Sequence, residues 1–284
     1  GGMSEGRIYA KIVRRGLTLV VLGMVYNGLF KLDFENLRIA SVLGRIGLAW
    51  SIAAVLYLNF GVKTRAAIAV AVLAGYGALS ALVAAPDAAG AGPLTFEGNL
   101  AGYIDRQFLP GKLIYGSFDP EGLLSTVPAV VTAMLGMFTG EFVRRGDIRG
   151  GRKTLWMAAA AAALLAAGLA FSGVLPVNKK LWSSTFVCVV GAYSLGMFAL
   201  FYYLIDVRGW RRWTLFFRVV GLNSITIYLA QRIVGFGRIS DFFLGGIASK
   251  CPEAVAAVIS SAGYVAVCWL FLYFLYRKNV FLKV

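Results

Sequence analysis

The feature that most constrains this chain is a recurrence of apolar windows about 20 residues long, roughly at 16–31, 40–60, 66–85, 122–142, 154–175, 184–205, 214–234 and 254–276. That is the length a helix needs to cross the hydrocarbon of a bilayer. In lipid every backbone N–H and C=O must be bonded within the segment, so such windows become helices. The pattern predicts an all-α, polytopic membrane bundle of about eight transmembrane helices, forming a single transmembrane domain over 1–284. Composition agrees: 59% of the 284 residues are apolar and 14% charged, too apolar for a soluble globule.

The net charge of +15 does not point to nucleic acid, because the cations stand in short clusters between the windows. One set of connectors carries Arg7 to Arg15, Lys63 and Arg65, Arg144 to Lys153, Arg208 to Arg212, and Arg277 to Lys283. The opposite set, from Lys31 and Arg38 to Arg238 and Lys250, holds about half as many. The positive-inside rule makes the richer side cytoplasmic, with both ends of the chain on it. The long polar connector at 86–121 then faces outward, and it concentrates Asp87, Glu97, Asp105, Asp119 and Glu121. Three scattered cysteines imply neither a disulfide framework nor a metal cluster. No histidine is present, which removes the commonest general base near neutral pH and the commonest metal ligand.

Candidate chemistry rests on a few polar residues. Arg38 and Arg45, seven apart, are expected on nearly the same face of one helix, about 10 Å apart along it. At that depth Arg45 either lines a polar cavity or is held by an ion pair or a carbonyl. Asp119-Pro120-Glu121-Gly122 precedes an apolar run and reads equally as a helix start, with Asp119 as N-cap. Asp105 beside Arg106 reads as a loop ion pair or as a site acid. In Pro176-Val177-Asn178-Lys179-Lys180-Leu181-Trp182 the lysines are either a cationic clamp or solvated, and Trp182 suits an interfacial belt. Asn223, inside a window, either bonds a neighbouring helix or joins a cavity. Gly136 and Gly140, with the alanine run 158–163, are expected at close helix contacts.

The order of these motifs resembles the transmembrane N-acetyltransferase family of heparan-α-glucosaminide N-acetyltransferase, in particular its bacterial NagX-like members. The resemblance runs through Arg38-Ile39-x-x-Val42-Leu43-x-Arg45, Ala101-Gly102-Tyr103-Ile104-Asp105-Arg106, Asp119-Pro120-Glu121-Gly122 and Pro176-Val177-Asn178-Lys179-x-Leu181-Trp182. It continues through Asp206-Val207-Arg208-Gly209, Asn223-Ser224 and Leu275-Tyr276-Arg277-Lys278. Lys180 departs from the animal enzymes' pattern, and their long external insertions are shortened here.

The resemblance implies transfer of an acetyl group from cytoplasmic acetyl-CoA to the amine of a glucosamine-type amino sugar across the membrane, with no metal. It also implies a reactive histidine on a segment ahead of these motifs. With no histidine and a start at Gly1-Gly2-Met3, the chain is expected to lack about two upstream helices and to be inactive by itself. Asp105, Glu121 and Asn178 are then expected to orient the sugar. Arg38, Arg45, Arg106, Asp119, Lys179, Trp182 and Asn223 are expected to bind substrate or the acetyl donor. A bacterial inner membrane, contacts with lipid and a homo-oligomer fit the short connectors. The competing readings are an amino-sugar or glycan transporter and a silent scaffold; the internal repeats common in transporters are not evident.

Overall fold

The structure, a computed structural model, describes residues 4–282; Gly1 to Met3 and Lys283, used in the reading above, lie outside the described residues. Among these, eleven α-helices are present: α1 (Glu5–Tyr26), α2 (Val42–Asn59), α3 (Val62–Leu82), α4 (Leu100–Phe108), α5 (Leu123–Arg144), α6 (Gly150–Ala170), α7 (Ser184–Tyr202), α8 (Leu215–Leu222), α9 (Ser224–Ile233), α10 (Phe236–Ala248) and α11 (Glu253–Arg277). Strand-like pairing among the described residues is limited to two isolated bridges, Arg38 with Gly111 and Ala84 with Asn99. The fold is all-α, as expected. The chain forms two compact units, one up to Arg208 and one from Gly209.

Six helices, α2, α3, α5, α6, α7 and α11, are long and apolar enough to cross a membrane, and a bent α8–α9 pair raises this to seven. The remaining window corresponds to α1, whose first half carries Glu5, Arg7, Lys11, Arg14 and Arg15. The window at 214–234 is not one straight helix: it breaks at Asn223 and bends by 62°. Asn223 leaves helical geometry at φ −128°, and its Oδ1 accepts a hydrogen bond from the Thr226 hydroxyl at 3.1 Å. A short amide side chain competes in this way with the helical ladder. Beyond the bend, α10 packs on α11. There a Cβ on Gly263 would fall 2.4 Å from side-chain atoms of both Ser240 and Leu244.

In the first unit the helices meet through small residues, among them Ala161 of the alanine run on α6, which is buried and lies 3.8 Å from a Cβ placed on Gly196 of α7. Gly16 and Gly23 of α1 face α2 so closely that an added Cβ would lie 2.3 Å from Ser51 Oγ and 1.9 Å from Ser41 Oγ respectively. On α2, Gly47 faces the Gly16 carbonyl in the same way, at 2.7 Å. Alanines 49 and 53 of α2 join Val130, Val131 and Met134 of α5 and Val187 of α7 in the buried core. Such close backbone approach is the usual basis of helix association in lipid. The expected contact at Gly136 and Gly140 is absent, since nothing lies within 4 Å of a Cβ at either. They border an open groove of about 850 Å³ among Phe138, Phe142, Trp156 and Phe198, whose bulk holds the helices apart.

Candidate active site

The site is assembled where the start of α2 meets the start of α5. Asn27, just beyond α1, donates from its amide to the carbonyls of Arg38 and Ala40 at 2.8 and 2.9 Å. That keeps residues 38–40 extended. Gly111, at φ +82°, pairs with Arg38, and a Cβ there would lie 2.1 Å from the Leu37 carbonyl, so the close approach requires glycine. Ser41 caps α2 by accepting the Gly44 N–H at 2.9 Å. Arg38 is therefore not helical, and the expected shared helix with Arg45 does not form. Both arginines nevertheless reach the same turn, Asp119-Pro120-Glu121.

Arg38 forks onto Asp119 through Nε and Nη2 at 2.7 and 2.6 Å, and its Nη2 also bonds Glu121. Asp119 is fully buried. It further accepts the backbone N–H groups of Glu121 and Ile114 at 3.0 and 3.3 Å. Burial by itself would raise the Asp119 pKa, but the Arg38 hydrogen bonds and charge outweigh it and hold the carboxyl below its ordinary value. For Arg38 burial works to lower the pKa, and Asp119 and Glu121 reverse this to a net rise. The N-cap of α5 is Gly122 rather than Asp119. A bidentate partner 81 positions away takes the carboxylate that the local pattern assigned to capping.

Arg45, in the first turn of α2 and 5% exposed, bonds the Pro120 carbonyl and, at 2.5 Å, the Ser125 hydroxyl. Its guanidinium lies over the Trp182 ring at 4.7 Å. Nε and Nη1 are buried without a hydrogen-bond acceptor among the described residues. Two unpartnered donor nitrogens on a buried cation are costly unless something accepts their N–H groups. Trp182 is not an outward belt residue. It stands at φ +51°, a conformation rare for a bulky residue, with its ring turned inward and its Nε1 donating to Thr132 at 3.3 Å. Arg45 and Glu121 also border an apolar cavity of about 490 Å³ that runs along α2 past Leu48 and Ile52 to Leu56.

Asp105, on α4, is fully buried and does not pair with Arg106. Its two oxygens accept the N–H groups of Leu123 and Asp119 at 2.9 and 3.2 Å, fastening the turn at both ends. Burial pushes its pKa up to about 6, against the pull of those two N–H groups. Arg106 pairs instead with Asp87 at 2.6 and 2.8 Å and bonds the Ser117 carbonyl at 2.5 Å, bracing the loop. Asn178 accepts the Lys180 N–H at 2.8 Å and shapes its own turn, while Lys179 is exposed. Asn223 lies in the second unit, buried, with Nδ2 lacking a hydrogen-bond partner among the described residues. Of the expected set the structure thus gathers Arg38, Arg45, Asp105, Asp119, Glu121 and Trp182. Sequence reasoning missed Ser125, whose only signal was a hydroxyl at the head of an apolar run.

Gly122 closes this arrangement. A Cβ there would sit 2.0 and 2.2 Å from the two Asp105 oxygens. Gly122→Ala is expected to destabilise by roughly 1–3 kcal/mol or more through overpacking. Gly151→Ala on α6, where nothing lies within 4 Å, is expected to be neutral. Thermal unfolding of the two variants in detergent checks the contrast.

No family model matches the chain. It is 27% identical over 340 residues to heparan-alpha-glucosaminide N-acetyltransferase of Homo sapiens, an alignment covering 100% of this chain and 50% of that protein. The resemblance to the heparan-α-glucosaminide N-acetyltransferases is thereby borne out at that level, not at the level of the NagX-like members. The Mus musculus heparan-alpha-glucosaminide N-acetyltransferase is 27% identical over 205 residues, 66% of this chain and 30% of that protein. The chain spans about half the length, or less, of the curated relatives it matches. The similarity to the human heparan-alpha-glucosaminide N-acetyltransferase runs the full length of this chain, so it takes in the whole Arg38, Arg45, Asp105 and Asp119 cluster.

Proposed function

We propose that the chain is the membrane part of an N-acetyltransferase that acetylates the amine of a glucosamine-type sugar on the non-cytoplasmic side, with acetyl-CoA as donor. The observation that carries the reading is Arg45: a buried guanidinium with two donor nitrogens lacking acceptors among the described residues, at the head of an apolar cavity, in a chain similar throughout to a glucosamine N-acetyltransferase. The residues present fit the acetyl-thioester end of such a donor, since the cavity is apolar along α2 and has Arg45 at its head. Acetyl-CoA supplies the acetyl group as an activated thioester.

The chain's own residues then divide the work. Arg45, oriented by Pro120, Ser125 and Trp182, donates to the acetyl oxygen on which charge develops, the kind of preorganised stabilisation that dominates acyl transfer. Glu121 is the partly exposed carboxylate of the cluster and borders the cavity, where it orients the acceptor amine. Arg38, Asp119 and Asp105 hold the turn that carries Glu121. The imidazole implied by the resemblance is not among these 284 residues. The residues present supply the acceptor-binding and charge-stabilising part of the site.

The test uses the complete protein in vesicles, with labelled acetyl-CoA on the cytoplasmic side and glucosamine on the other. Labelled N-acetylglucosamine is expected, and Arg45→Ala is expected to lower kcat about a hundredfold with a smaller change in KM for glucosamine. Uptake of glucosamine without acetylation would overturn the reading in favour of transport. An unchanged kcat in Arg45→Ala would remove that residue from the mechanism.

A further inference from the structure

The outer connectors carry a feature that acetyl transfer does not by itself require. Phe96 and Tyr115 meet nearly at right angles, 82° apart with centroids 5.4 Å apart, and form an open corner. The Lys180 ammonium sits in that corner, 4.4 Å from the Tyr115 ring centre and 5.4 Å from that of Phe96. Both distances are within the range of cation–π attraction. The corner is rigid. Phe118, 2% exposed, backs both rings, at 4.8 Å from Phe96 and stacked 5.3 Å from Tyr115. Asn99 holds the Phe96 carbonyl at 2.7 Å, and the Tyr115 N–H bonds the Phe118 carbonyl at 3.3 Å. The rings remain open to solvent, at 40% and 42% exposure. Phe118 is also the immediate neighbour of Asp119, so the corner stands beside the turn that carries Glu121.

We propose that Phe96 and Tyr115 form a docking cage for the protonated amine of the acceptor sugar, occupied in the resting protein by Lys180 as a built-in competing cation. This rests on the acetyltransferase reading, in which the acceptor is an amine arriving on this face. Two-walled aromatic corners attract ammonium ions because the ring faces carry the negative part of the quadrupole. Lys180 is suited to displacement. It belongs to an exposed position whose backbone is pinned by Asn178, so its side chain can leave without disturbing the turn. An acetylated sugar carries no cation, so the cage discriminates substrate from product and Lys180 refills the corner after transfer.

The experiment measures binding of glucosamine and of N-acetylglucosamine to the purified protein by calorimetry, alongside KM and kcat for glucosamine. Lys180→Gln is expected to tighten glucosamine binding about two- to fivefold by removing the competitor, and to leave N-acetylglucosamine unchanged. Phe96→Leu and Tyr115→Leu are each expected to weaken glucosamine binding by a similar factor, raising KM with little change in kcat. Weaker or unchanged glucosamine binding in Lys180→Gln, a position whose loss threatens no buried contact, would overturn the cage. Equal effects on both sugars would do the same, since the rings would then recognise the sugar ring and not the amine. If the binding pattern holds while no acetylation is detected, the cage stands and the transfer reading falls.

Discussion

Arg38→Ala is expected to destabilise the protein by about 3–5 kcal/mol, the usual cost of removing one partner from a buried ion pair. The lost attraction is the smaller part of it. Asp119 is fully buried, and its two oxygens would keep only the backbone N–H groups of Glu121 and Ile114. A carboxylate left so poorly compensated must either take up a proton or draw water into the turn. Asp119→Asn should rescue much of the loss, because the uncompensated charge disappears with it. Unfolding of the single and double variants in detergent gives the coupling directly, and purely additive losses would contradict the assignment. Arg38→Lys should fall between, keeping the charge but not the planar fork that engages both oxygens.

Asp105 should give the protein a pH dependence of unusual sign for a carboxylate. Its pKa is raised from 3.8 to about 6 in the folded protein. The folded state therefore binds the proton more tightly than the unfolded chain. The resulting stability is fully present below about pH 3.8 and is lost as pH rises through about 6, a swing of roughly 3 kcal/mol at most. Asp119, held below its ordinary value, acts oppositely: its stability is present above the unfolded pKa and is lost as pH falls through the folded one. The difference in unfolding free energy between the wild type and Asp105→Asn should slope between pH 4 and 7 and flatten above; a flat difference throughout would sink the idea. Function should move the other way. Ionised Asp105 accepts both the Leu123 and Asp119 N–H groups strongly, whereas the neutral acid is a poor acceptor at its hydroxyl oxygen, so acetyl transfer should fall as pH drops through about 6. In Asp105→Asn that acid limb should vanish, together with part of the rate, because an amide oxygen accepts only one of the two.

The two positions also mark where reading from residues succeeded and where it failed. That Arg45 needs a polar cavity, an ion pair or a carbonyl was readable, because a charge within an apolar run has few ways to exist in lipid, and the folded chain gives it the Pro120 carbonyl. That Asp119 would be taken by Arg38 was not, because the two are 81 positions apart and the local pattern offered helix capping as a sufficient explanation. The Asp105 and Arg106 pairing failed for the same reason. Adjacent opposite charges invite a local bond, yet on α4 they point to different partners, Asp105 inward to backbone and Arg106 outward to Asp87. The helix shared by Arg38 and Arg45 was drawn from spacing alone, and Ser41 ends that continuity by capping α2 between them.

Residue order alone was enough for the helical windows, the membrane habit and the acid-rich connector, because hydrophobic transfer and backbone hydrogen bonding in lipid are properties of contiguous segments. The break at Asn223, the meeting of Arg38, Arg45, Asp105 and Asp119 on one turn, and the Lys180 corner all needed the folded chain. Each is a contact between segments far apart in sequence or a choice among rival polar partners, and such choices are settled by distance and desolvation in three dimensions, which no local pattern encodes.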